Sequence, residues 1–115
     1  MYMLFVDRYF KPGQYEKCFS GLLNLAKGGY PLAEHMVGYF FLEGLGTEKD
    51  LTKALYWTML SAEHGDRSGQ YNLARYYEEG IALEKDIDMA KHWYGKSAAQ
   101  GYRPAVEKMT LYKGN

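Results

Sequence analysis

Leu42–Trp57 reads LEGLGTEKDLTKALYW, and Glu78–Tyr94 reads EEGIALEKDIDMAKHWY. The same Glu-Gly, Glu-Lys-Asp, alanine and tryptophan return in the same order. Sliding the chain against itself by 36 residues brings Gly29 onto Gly65 and then Gly101, and Glu43-Gly44 onto Glu79-Gly80. Asp50 meets Asp86, Ala54 meets Ala90, Trp57 meets Trp93, and Ser61-Ala62 meets Ser97-Ala98. Ten of the 36 columns from Gly29 to His64 are identical without a gap, against about two from ordinary residue frequencies. A fixed period of this length marks a stacked-repeat architecture.

Each repeat reads as two helices. The first spans about Leu32 to Glu43, with Ala33, Val37, Phe40, Phe41 and Gly44 on one face. Its copy places Gly69, Leu73, Tyr76, Tyr77 and Gly80 there. Gly44 and Gly80 stand where a helix ends in a left-handed residue, which glycine adopts without a Cβ clash. Asp50 and Asp86 then cap the next helix by accepting from its free N–H groups. That second helix has Ala54, Trp57, Thr58 and Ser61 along one stripe, and His64-Gly65 or Gln100-Gly101 closes it. The small residues at Ala54, Ala62, Ala90 and Ala98 allow close helix approach, while the tryptophans fill space between layers and need partners for their indole N–H groups.

The expected organisation is one repeat domain over 1–115: a degenerate N-terminal repeat (1–28), full repeats at 29–64 and 65–100, and a partial repeat at 101–115. In the degenerate copy Cys18 takes the Ala54 column and Gly21 the tryptophan column. The resulting hole is expected to be filled by apolar residues from Tyr2 to Val6. In the last copy, Ala105, Met109 and Tyr112 form the core face of another first helix.

The pattern resembles the Sel-one-like repeat family, a branch of the tetratricopeptide-like α-solenoids. The elements that carry it are Ala33, Val37-Gly38, Phe41, Gly44-Leu45-Gly46, Asp50, Ala54, Trp57, Ser61-Ala62 and Gly65. The second copy reads Gly69, Leu73-Ala74, Tyr77, Gly80-Ile81-Ala82, Asp86, Ala90, Trp93, Ser97-Ala98 and Gly101. Departures are Phe41 for tyrosine, Ala82 for the second turn glycine, and serine for the first alanine of each pair. The resemblance implies an all-α, right-handed solenoid of antiparallel helix pairs. It also implies an adaptor-like role in binding another protein, with no shared catalytic residue. Some family members act as immunity proteins against secreted toxins, so a dedicated inhibitor is an alternative; a regulatory small-ligand domain is a second.

Composition agrees with a foldable chain that is 47% apolar, with fourteen basic and fourteen acidic residues. Neutrality without a Lys/Arg run argues against nucleic acid, and no basic amphipathic stretch addresses a membrane surface. A single cysteine, Cys18, suits a reducing compartment, and Met1–Phe10 has no basic leader, so a cytoplasmic location is expected.

Catalytic and metal chemistry find little support. Gly44-Leu45-Gly46 lacks the strand and Gly-Lys-Ser/Thr of a phosphate loop. His35, His64 and His92 fall in different columns without a ligating partner, so no metal and no cofactor is expected. Cys18 replaces an alanine in a close-packed column, as an inert thiol does.

The informative residues are those that break the repeat. Opposite the core of the first helices stand His35, Tyr39 and Leu42, then Tyr71, Arg75 and Glu78. First helices line the concave side of stacked pairs, so these six are the candidate partner-binding residues. Val106 occupies the column of Glu34 and Gln70, and Leu111 that of Tyr39 and Arg75. This apolar end predicts a monomer or a weak end-to-end dimer.

Overall fold

The structure is a computed structural model that describes residues 13–114. Among the described residues six helices follow one another: α1 Gln14–Lys27, α2 Pro31–Glu43, α3 Leu51–Glu63, α4 Arg67–Glu79, α5 Ile87–Ala99 and α6 Arg103–Lys113. Each packs on the next, giving an elongated body of 46 × 26 × 23 Å. This is an all-α solenoid of antiparallel helix pairs with a 36-residue repeat. Besides these sequential contacts, the first helices α2 and α4 also pack on each other across the pair, which places them on the inner side of the stack. The expected filling of the Gly21 hole by Tyr2–Val6 lies outside the described residues. At Gly21 itself an added Cβ would meet nothing within 4 Å.

Local chemistry explains the boundaries. Gly44 and Gly80 end α2 and α4 at φ of 72° and 71°, with N–H groups bonded to the carbonyls of Phe40 and Tyr76. Asp50 and Asp86 accept from the N–H of Lys53 (3.0 Å) and Met89 (3.1 Å) and so start α3 and α5. The turn between adopts a second left-handed residue, Gly46 at φ 66°, and Ala82 is forced into the same shape at φ 62°. The expected faces are buried: Val37, Phe40, Ala54, Leu73, Ala90 and Ala105 are all at or below 1% exposure.

Serine in place of the family's alanine has a bonding role. Ser61 donates to the Pro31 carbonyl at 2.9 Å, and Ser97 to the Arg67 carbonyl at 2.8 Å, each tying a second helix to the start of its own first helix. The backbones approach closely at Gly38, where a Cβ would collide with Thr58. Both tryptophans are half-buried, each edge-on to the preceding aromatic at 5.3 Å. The sequence expectation that each indole N–H finds a partner fails at Trp93, whose buried Nε1 has none among the described residues.

Candidate functional site: the inner face of the first helices

Side chains on α2 and α4 face the same inner cleft, and a cavity of about 100 Å³ opens between them. Tyr39, Leu42 and Glu43 form its α2 wall, Asn72, Arg75 and Tyr76 its α4 wall, and Thr58 and Ile81 also line it. Three of the six sequence-predicted residues, Tyr39, Leu42 and Arg75, therefore come together. His35 stands beside them, its Nδ1 3.0 Å from the Asn72 side-chain amide. An amide donor at Nδ1 leaves the ring neutral, with its proton on Nε2. Burial lowers the His35 pKa by disfavouring the charged ring, with the charge of Asp66 acting in the opposite direction.

Arg75 reaches along its own helix to Glu79, at 3.2 Å, with both side chains nearly half exposed. Such a surface pair contributes at most about 0.5 kcal/mol, so the guanidinium can exchange Glu79 for another acceptor at little cost.

The other two predicted residues are engaged elsewhere. Tyr71 packs against Tyr94 and Tyr102, with ring centroids 5.4 and 5.5 Å away. Glu78 accepts hydrogen bonds from Tyr94 Oη at 2.8 Å, from Lys108 Nζ at 3.0 Å and from the Tyr112 hydroxyl. These donors hold its carboxyl below the usual range against the opposing effect of burial. The hydrogen bond to the Glu78 carboxylate in turn pushes the Tyr112 phenol up to about 12. Glu78 thus ties α6 to the preceding repeat, and its carboxylate is engaged within the chain.

Sequence reading missed Asn72, Thr58 and Tyr76. The repeat pattern puts Thr58 on the core stripe and Tyr76 on the core face, and neither position shows that the two meet at a cavity. Cys18 is half-buried, and burial pushes its thiol pKa up, which disfavours the thiolate. Among the described residues no group of three or more His, Cys, Asp or Glu is placed to hold a metal ion. No helix there is long and apolar enough to cross a membrane.

Comparison with known proteins agrees with this geometry. The family model described as Sel1 repeat matches residues 31–66 and 67–102. A putative sel1-like repeat-containing protein, L21 of Acanthamoeba polyphaga mimivirus, is 39% identical over 58 residues, which is 50% of this chain and 11% of that protein. The crystal structure of a Sel1 repeat protein from Oxalobacter formigenes superimposes with a TM-score of 0.75 at 40% identity, covering 77% of this chain and 67% of that one. That of c5321, a protective antigen of uropathogenic Escherichia coli with an SLR fold, gives a TM-score of 0.83 at 28% identity over 95% of this chain and 23% of that one. The chain thus spans only a small part of the viral and the E. coli proteins. Two contiguous matches that cover more than half of the residues decide the assignment: the chain belongs to the Sel1 repeat family.

Proposed function

We propose that the chain is a non-enzymatic scaffold that holds a segment of a partner protein against the inner face of α2 and α4. One observation supports this most: the columns that differ between the two repeats meet at a cleft. Tyr39, Leu42 and Arg75 line it, whereas the repeated positions, Glu43 in its wall apart, mostly serve caps, turns and core. Aromatic residues and arginine are the types that dominate interface energies. Helices fixed by cross-repeat hydrogen bonds lose little ordering entropy when a partner docks.

The cavity also bears on the choice among ligands. Pockets for drug-sized ligands and cofactors are about 300 to 1,000 Å³, so 100 Å³ suits one side chain better than a nucleotide or sugar. Exposed Leu25, Tyr30 and Leu32 at one end and Val106 and Leu111 at the other match a monomer that associates weakly end to end.

Arg75→Ala tests the reading. Stability should change by no more than about 0.5 kcal/mol, because only an exposed helix pair is lost, while partner retention falls. Unfolding of the variant would assign Arg75 to the core instead. Tyr71→Ala is the wrong probe, since it removes a ring packed on Tyr94 and Tyr102.

A further inference from the structure

The walls of the inner cavity have counterparts 36 residues later, and those counterparts close the same space. Leu42 corresponds to Glu78, Thr58 to Tyr94, Asn72 to Lys108 and Tyr76 to Tyr112. In the second position the Tyr94 ring is fully buried, and its hydroxyl bonds Glu78, which also takes the Tyr112 hydroxyl and Lys108. In the first position threonine stands where Tyr94 stands, and the cavity of about 100 Å³ lies beside it. That is the scale on which a protein interior admits a single ring.

The polar pattern is incomplete in the same way. Tyr76 is 2% exposed and lines the cavity, and its hydroxyl, beside the Thr58 side chain, makes no hydrogen bond of full geometry, although Tyr112 in the matching column bonds Glu78. Leu42 offers no acceptor. A buried hydroxyl left unpaired is a standing cost that a ligand bearing an acceptor oxygen removes.

We infer that this cavity is an anchor pocket for a phenol side chain, a tyrosine of the bound segment, which takes the space that Tyr94 fills in the next repeat. The inference rests on the inner-face reading above. The ring would enter hydroxyl first, toward Thr58 and Tyr76, and its oxygen would accept from the Tyr76 hydroxyl. Arg75 lines the same cavity and can lie over the ring face. A plain phenyl or aliphatic side chain would bring the Tyr76 hydroxyl no acceptor. A carboxylate would be desolvated beside Glu43, which already adds negative charge to the wall.

The test is an NMR titration of the full chain with p-cresol, and with toluene as the control that lacks the hydroxyl. Saturable shifts are expected at Thr58, Asn72, Tyr76 and Ile81, with toluene binding about tenfold more weakly, a ratio typical of one lost hydrogen bond. Thr58→Tyr, which copies Tyr94, should abolish the shifts. Tyr76→Phe keeps the ring and should erase the preference for p-cresol over toluene even if Thr58→Tyr fails to fold. No saturable shift at these residues would overturn the inference, as would equal binding of both probes. The Arg75→Ala test of the inner face needs no probe of the pocket, so failure of one reading is distinguishable from failure of the other.

Discussion

Glu34 and His64 meet at 2.8 Å across the first helix pair, and their counterparts Gln70 and Gln100 meet at 2.9 Å across the second. The latch is kept while its chemistry changes. Glu34 is 1% exposed, so its carboxylate depends on the imidazole that faces it. The glutamines spread their amides further, with Gln70 donating to the Ala62 carbonyl and Gln100 to that of Gly65.

His64→Ala should therefore cost about 2 kcal/mol, the order expected when a buried polar group loses its partner. The double variant Glu34→Gln with His64→Gln rebuilds the second latch inside the first and should recover most of that loss. Urea denaturation of the two variants beside the parent checks both statements. A single variant as stable as the parent would remove the latch from the account.

The carboxylate of Glu78 sets a pH dependence at both ends of the scale. Its folded pKa is depressed, so its contribution is present above the unfolded carboxylate range and is lost as pH falls through the lower folded value. Tyr112 has the opposite sign. Its pKa rises from 10.0 to about 12, so its stabilisation is complete below pH 10 and disappears between 10 and 12. Glu78→Gln should flatten the acid limb of the stability profile, and Tyr112→Phe should make the alkaline limb shallower, leaving the part due to Tyr94, whose phenol burial and the same carboxylate push up further. Lys108 faces the same carboxylate, and Lys108→Met should weaken the acid-limb effect.

Much of this fold was legible in the chain. A 36-residue period, two glycines and two capping aspartates fixed four helix boundaries, because each is a local backbone requirement that a residue type either meets or fails. The core face of α6 through Ala105, Met109 and Tyr112 was readable on the same ground. Site geometry was less accessible. The period shows that Leu42 and Glu78 share a column, but not that Glu78 collects hydroxyls from two other helices. That contact depends on how far Tyr94 reaches across the stack, and a threonine-for-tyrosine change between copies is the sequence signal that could have shown it.

Ala82 offers a test of local strain. It holds φ 62° where Gly46 holds 66°, and a left-handed alanine costs about 1 kcal/mol. Ala82→Gly relieves that cost, less the extra freedom glycine gains in the unfolded chain, and should raise stability by about 0.5 kcal/mol. Gly46→Ala should be much worse, a loss above about 2 kcal/mol, because a Cβ there would strike the Tyr15 backbone as well. Thermal melts of both variants decide the comparison.

The inner face of α2 and α4 is tested most directly by quantitative capture with three forms of the chain: parent, Arg75→Glu inside the cleft, and Glu63→Lys at the exposed end of α3. Both substitutions reverse one exposed charge, so general electrostatic effects are matched in size. Loss of the captured protein with Arg75→Glu and its retention with Glu63→Lys is the expected result. Undiminished capture by Arg75→Glu, or loss with Glu63→Lys alone, would contradict the assignment of the binding surface.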